Sequence, residues 1–300
     1  MNRTVVFYNP LAGRNNTVES LSVIKDMISD EISFCDMTDK EAYAKEFKAL
    51  EPEDKIILCG GDGTLNRFIN MTETDDLQNE VLYYPCGSGN DFAHDVGKER
   101  GDAPFSITKY IHDLPFVEVN GKKQRFLNGI GYGIDGYCCE VGDMLKEQTD
   151  KPINYTSIAI KGLLFHFKPT DATIIVDGKK YEYKKVWLAP TMNGRFYGGG
   201  MMPTPNQDRL GGKGLLSTMV FHDTGKIRTL TMFPSIFKGE HIKYKGAVEI
   251  LTGHDITVKF ERPTALQIDG ETVKNVTEYR AYSAQLEQAG KDAVQFTTAE

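Results

Sequence analysis

The stretch Lys55-Ile56-Ile57-Leu58-Cys59-Gly60-Gly61-Asp62-Gly63-Thr64-Leu65-Asn66 runs from an apolar segment into a glycine-rich loop. It continues into a segment whose Leu65, Phe68 and Ile69 recur at helical spacing. The pattern predicts a strand, a loop and a helix. Glycines let the backbone turn tightly and approach a ligand, while the N–H groups of a first helical turn present partial positive charge to an anion. The natural anion is a phosphate; the competing reading of an Asp-Gly pair among glycines is a plain turn.

Two further units repeat this logic. Val81-Leu82-Tyr83-Tyr84 reads as a buried strand and runs into Pro85-Cys86-Gly87-Ser88-Gly89-Asn90-Asp91-Phe92. At the start of the chain, Thr4-Val5-Val6-Phe7-Tyr8 leads into Asn9-Pro10-Leu11-Ala12-Gly13-Arg14 and a helix with Val18, Leu21, Ile24 and Ile28 on one face. Alternating strands and helices predict a three-layer α/β domain with a parallel sheet. Ligands of such sheets bind outside the carboxyl ends of the strands, so the three loops are expected to converge on one crevice.

Asp62 and Asp91 would repel a nucleotide's phosphates unless a cation stood between them, and magnesium is the expected metal, bound by one or two carboxylates with phosphate oxygens and water. The alternative is that both cap helices. No GxxxxGK[ST] occurs, Phe92 stands where a dinucleotide fingerprint wants its third glycine, and no HRD or DFG set is present.

These motifs together resemble the diacylglycerol kinase catalytic-domain family, which includes bacterial lipid kinases and the sphingosine and ceramide kinases. Asn9-Pro10 with Gly13 resembles its NPxxG opening, Gly60-Gly61-Asp62-Gly63-Thr64-Leu65-Asn66 its GGDGTLN, and Gly87-Ser88-Gly89-Asn90-Asp91-Phe92 its GSGNDF. Thr38 stands where the family has a nucleotide-contacting threonine. Phe126-Leu127-Asn128 with Gly131 and Asp135 resembles FxN…GxxxD, Gly198-Gly199-Gly200 a glycine-rich turn, and Asp269-Gly270-Glu271 the late DGE. The resemblance implies ATP and Mg2+ as cofactors, with Asn9, Pro10, Gly13, Thr38, residues 60–66 and Gly87, Ser88, Gly89 and Asn90 on the nucleotide, and Asp62 and Asp91 on the metal. NAD kinases share GGDGT; GSGNDF and the late DGE favour the lipid-kinase branch.

At 300 residues with 40% hydrophobic content the chain suits two domains with ample core. The net charge of −7 argues against a nucleic-acid partner, which needs a concentrated basic face. Five cysteines without a CxxC pair fit a reducing compartment, with Cys59 and Cys86 read as small core residues. No signal-peptide pattern or long apolar stretch is seen. The expectation is a cytoplasmic protein that meets its lipid transiently at the inner face of the membrane. The oligomeric state is left open, a homodimer included.

A domain boundary is expected within 113–123, where Leu114-Pro115 interrupts the pattern and Asn120-Gly121-Lys122-Lys123 makes a tight turn. We place the nucleotide domain at 1–122. Short apolar runs at 172–176, 181–188, 215–221, 248–251, 256–260 and 279–286 predict an antiparallel β-sandwich over 123–286, with helical patches at 155–167 and 227–237. The resemblance implies that about 287–300 rejoins the first domain.

Phosphorylating a hydroxyl calls for a proton acceptor. The resemblance assigns Asp269, and Glu271 competes, since an extended segment would turn both side chains to one face; a plain Asp-Gly hairpin is the third reading. Ile158, Ile160, Leu163, Leu164, Phe165 and Phe167, flanked by Lys161, His166 and Lys168, read either as core or as an acyl pocket beside anionic headgroups. Many family members hold a structural metal with an aspartate where this chain has Lys213; the lysine either puts its own charge in the metal's place, or is an ordinary exposed residue, or Asp208 moves in as a ligand. The leading function is a Mg-ATP-dependent kinase for diacylglycerol or a similar long-chain alcohol; an NAD kinase-like enzyme and a non-catalytic nucleotide-binding regulator are the alternatives.

Overall fold

The computed structural model describes residues 3–10, 16–148, 153–211 and 214–297. The chain divides into two compact units, Met1–His112 and Asp113–Glu300. The first contains β1 (Arg3–Tyr8), α1 (Asn16–Met27), β2 (Glu31–Asp36), α2 (Lys40–Lys48), β3 (Lys55–Gly60), α3 (Asp62–Met71), β4 (Glu80–Pro85), α4 (Asp91–Asp95), β5 (Phe105–Ser106) and α5 (Thr108–Ile111). The sheet order is β2-β1-β3-β4-β5, parallel except for the short edge strand β5. Val5, Val6, Ile56, Ile57 and Leu58 are fully buried, as strands covered on both faces require.

The register sets the strand ends level. Tyr8 pairs with Asp36 and with Cys59, and Cys59 with Tyr84, so one row across the sheet precedes all four carboxyl-terminal loops. The chain leaves β1 for β2 on one side and returns to β3 on the other. That reversal is the topological switch at which open α/β sheets bind ligands.

The second unit contains β6 (Phe116–Val119), β7 (Lys122–Arg125), β8 (Gly129–Tyr132), α6 (Ile134–Gln148), α7 (Tyr155–Lys161), β9 (Thr170–Val176), β10 (Lys179–Val186), β11 (Thr191–Met192), β12 (Leu216–Phe221), α8 (Lys226–Met232), β13 (Val248–Gly253), β14 (Asp255–Ile268), β15 (Glu271–Tyr282) and α9 (Ala284–Thr297). Its pairings are antiparallel and link all ten strands into one network. Residues from β6, β9, β12 and β14 share one buried cluster that includes Val117, Ile174, Val220 and Val258, so the sheet folds over a common core. β14 makes that possible. Its register against β15 shifts between Lys259 and Thr264, where Pro263 has no amide to give.

The sequence expectations met three differences here. The division falls at His112/Asp113 rather than after residue 122, because β6 pairs with β15 and the Asn120-Gly121 turn, both residues at positive φ, only joins β6 to β7. The run at 279–286 is a strand only to Tyr282, after which Leu286 N donates to Ser283 O and α9 begins. α9 groups with the second unit, held at its first turn by Glu287, whose oxygens meet Lys123 at 2.7 Å and the Tyr282 hydroxyl at 3.0 Å.

Candidate active site

In the first unit the loops after β3 and β4 touch. A Cβ on Gly87 would lie 2.4 Å from the Gly61 Cα, and one on Gly60 would lie 2.1 Å from Thr64 Oγ1. These glycines are demanded by packing within the protein. Gly63 is different: a Cβ there meets nothing within 4 Å, its backbone is helical, and its side is exposed. Glycine inside a helix costs about 1 kcal/mol relative to alanine, and no packing among the described residues accounts for it here.

Two helices begin at these loops and their ends are treated differently. The Asp62 carboxylate accepts the amides of Asp91 and Phe92, both at 2.9 Å, and so caps α4. The N-cap of α3, Gly61, has no side-chain cap. Asn90 is left-handed at φ 54° and turned inward: its Nδ2 donates to Gly87 O at 2.9 Å, and its Oδ1 accepts from the Tyr83 hydroxyl at 3.4 Å. Its work is to shape the loop.

Of the other expected nucleotide residues, Thr38 has its hydroxyl and amide on Asp36 Oδ1, each at 2.7 Å, in a turn at the end of β2. Leu65 is fully buried and Asn66 nearly so, so their side chains belong to the core beneath the loop. Thr64 Oγ1 is buried with no hydrogen-bond partner among the described residues. Ser88 and Gly89 are exposed, and Asn9 and Pro10 are half-buried after β1. Gly13 lies outside the described residues. Cys59 and Cys86 are core residues, as expected, with their sulfurs 3.7 Å apart.

Magnesium fits the donor set. It needs only one or two protein carboxylates, with phosphate oxygens and water completing the shell, and Asp62 and Asp91 supply that number. No group of three or more acidic, histidine or cysteine side chains able to make an all-protein cage occurs among the described residues.

In the second unit, Asp269 and Gly270, at φ 47° and 94°, form the two-residue turn between Ile268 and its partner Glu271. The segment is therefore not extended, and the shared-face expectation for Asp269 and Glu271 fails for that reason. Glu271 is exposed, whereas the Asp269 carboxylate accepts three backbone amides: Leu127 at 2.6 Å, Asn128 at 2.8 Å and Gly129 at 3.0 Å. The carbonyls of the same segment are also held. Leu127 O accepts from Arg209 Nη1 at 3.1 Å and Asn193 Nδ2 at 2.9 Å, and Arg209 Nη2 reaches Asn128 Oδ1 at 3.0 Å.

Behind the turn stands Asp135, buried at the start of α6. Its Oδ2 accepts from Gln267 Nε2 at 3.0 Å, and Gln267 Oε1 accepts from Gly270 N at 2.6 Å, so Asp135 positions the turn that carries Asp269. Burial pushes its pKa up to about 6, against the bonds from Gln267 and Tyr197. Sequence reasoning placed Asp135 in a motif without giving it a role, and gave none to Gln267 or Arg209. The one available signal for Gln267 was its place just ahead of the Asp-Gly turn. Gly212 and Lys213 lie outside the described residues.

Comparison with known proteins agrees with this architecture. Residues 3–114 match the diacylglycerol kinase catalytic domain, and residues 128–284 match the YegS C-terminal NAD kinase beta sandwich-like domain. YtlR of Bacillus subtilis (strain 168), provisionally named a lipid kinase, is 22% identical over 92% of this chain and 95% of its own length. A diacylglycerol kinase of Mycobacterium tuberculosis (strain H37Rv) is 25% identical over 70% of this chain and 67% of its own. A crystal structure of a diacylglycerol kinase from Bacillus anthracis str. Sterne shares the fold at a TM-score of 0.58, with 19% identity and 94% of each chain covered. The chain therefore belongs to the diacylglycerol kinase catalytic-domain family of lipid kinases, in the form that carries a YegS-type C-terminal β-sandwich domain.

Proposed function

We propose that this protein transfers the γ-phosphate of Mg-ATP to the hydroxyl of a lipid, with diacylglycerol or a similar long-chain alcohol as the acceptor. The observation that carries the nucleotide part is Gly63, a helical glycine that no packing among the described residues explains, in the first turn of α3, whose N-cap Gly61 has no side-chain cap. The phosphates bind there, along the loops after β1, β3 and β4, with Thr38 at the neighbouring strand end. Asp62 and Asp91 hold the magnesium ion, which when bound offsets the charge on the phosphates.

The acceptor part rests on the second unit. Asp269 accepts the proton of the lipid hydroxyl; the three amides on its carboxylate fix where that oxygen stands. Glu271 is the competing carboxylate. Gln267 and Asp135 act through the turn and are positioning residues. The protein works as a peripheral enzyme at the inner face of the membrane, and among the described residues no helix is long and apolar enough to cross it.

Radiolabelled ATP with micelles of diacylglycerol, monoacylglycerol, ceramide, sphingosine, phosphatidylglycerol and polyprenol tests the reading. Labelled phosphate in a lipid product, dependent on a divalent cation, is the expected result. Transfer to NAD in detergent-free solution, or ATP binding without transfer to any acceptor, would overturn it.

A further inference from the structure

The apolar segment that reads as either core or lipid site in the sequence is divided by the fold. Ile158, Leu163 and Phe167 are buried in a cluster with Trp187, whereas Ile160 is 41% exposed and Phe165 72%. Phe165 stands on a five-residue π-helical turn, Gly162–His166, that follows α7. The start of α8 is tied to this turn, since Lys226 Nζ donates to Leu164 O at 2.8 Å, and the next residue, Ile227, is 77% exposed. Phe165 and Ile227 are thus the two most exposed large apolar side chains among the described residues, and they stand on neighbouring segments.

Charge selects what they face. The whole chain has 42 acidic against 35 basic residues, yet the stretches 153–170 and 224–239 contain no Asp or Glu. They contain Lys161, Lys168, Lys226, Arg228 and Lys238, all exposed. Behind the tip, between α6 and α7, lies a cavity of about 360 Å³ lined by Tyr137, Val141, Leu145 and Ile158, with Lys161 and His166 also on its wall.

We infer that the tip formed by Phe165 and Ile227, with the five exposed cations of its two acid-free stretches, is the surface by which this protein docks onto an anionic phospholipid bilayer. The two apolar side chains enter the acyl boundary while the cations lie among the headgroups. The choice of a bilayer as occupant rests on the lipid-kinase reading; the binding itself requires no turnover.

The test is co-sedimentation of the full chain with vesicles of phosphatidylcholine alone or mixed with phosphatidylglycerol. The wild type should bind the mixed vesicles at least about tenfold more strongly. Phe165→Ser combined with Ile227→Ser should lower that binding by about tenfold or more with no change in unfolding midpoint, because both side chains are exposed. Lys168→Glu with Arg228→Glu should lower it by roughly fivefold per charge removed, and added salt should weaken it. Wild-type vesicle binding by the double serine variant overturns the assignment. So does a dimer in solution that this variant converts to monomer, since the tip is then an interface between copies. A chain that docks through the tip but phosphorylates no lipid overturns the proposed function and leaves the surface standing.

Discussion

Asp62 in the first unit and Asp269 in the second both belong to motifs marked for chemistry, and both spend their carboxylates on backbone amides. Asp62 holds two amides of the loop after β4, about thirty residues away; Asp269 holds three amides at 127–129, in a segment 140 to 142 residues away. The difference lies in what each fixes. Asp62 joins two loops of one sheet end and occupies the cap of α4. Asp269 sits at the apex of a hairpin and pins it to the strand β8. Each tie leaves the charge at a defined place, so substitution removes a structural anchor and a reactive group together. An activity loss alone cannot separate the two, and the following variants are designed to do so.

The largest effects fall on transfer itself. Asp62→Ala should lower turnover by orders of magnitude. It also strands the Asp91 and Phe92 amides, so unfolding stability should fall by about 1–3 kcal/mol. Asp62→Asn keeps an acceptor for one amide and should recover part of the stability without the activity. Denaturant curves beside steady-state rates read both, and near-normal activity in a folded Asp62→Ala protein would remove it from the metal site. Asp269→Asn should lower kcat roughly a hundredfold or more with ATP affinity little changed, and should lose about 1–3 kcal/mol of stability as the donors at 127–129 lose a charged acceptor. Glu271→Gln, at an exposed position without those bonds, should leave stability unchanged. If it reproduces the kcat loss and Asp269→Asn does not, the two carboxylates exchange roles.

Asp135 sharpens the comparison through pH. Its folded pKa, about 6, lies above the ordinary aspartate value of 3.8 because burial disfavours the charged form. Between those values the unfolded chain has released a proton that the folded protein still holds, so this group's contribution to stability is full below about pH 4 and is lost as pH rises to about 6. A shift of about two pH units corresponds to a loss of about 3 kcal/mol. Asp135→Asn cannot titrate. Its stability relative to wild type should improve by up to that amount between pH 4 and pH 7, as read by denaturant midpoints across the range. A constant difference between variant and wild type would show that Asp135 is charged in the fold throughout.

What could be read in the chain and what could not follow from range. Strands β1, β3 and β4 were legible because each is a contiguous apolar run that leads into a glycine-containing loop, whereas β2, with the sequence EISFCD and no glycine after it, shows no such pattern; the level row at Tyr8, Asp36, Cys59 and Tyr84 follows from parallel pairing. Asp269-Gly270 was legible as a hairpin for the same local reason. That Asp62 caps the other loop's helix was open in the sequence only as a general capping role, since it depends on Gly61 and Gly87 meeting in space. Asp135, Gln267 and Tyr197 come from a helix start, a strand and a loop, and no local pattern announces that they meet. The split of 158–167 into core and exposed tip was likewise unreadable, because helical spacing breaks at the π-helical turn.

The smallest effect divides glycines that look alike in the sequence. Gly87→Ala drives a Cβ to 2.4 Å from the Gly61 Cα, backbone against backbone, and should cost about 1–3 kcal/mol of stability as the two loops separate. Gly63→Ala meets no atom within 4 Å and improves a helical position, so the ligand-free protein should gain up to about 1 kcal/mol. On the proposed reading, its added methyl group enters the space where the phosphates approach the first turn of α3. The expected signature is opposite movement of two readouts: a higher unfolding midpoint without nucleotide, and a smaller ATP-induced rise in that midpoint, because the shift scales with ligand concentration over Kd. Differential scanning at several ATP concentrations measures both in one protein. A Gly63→Ala variant that binds ATP as wild type does would leave this glycine unexplained and would move the phosphate site away from α3.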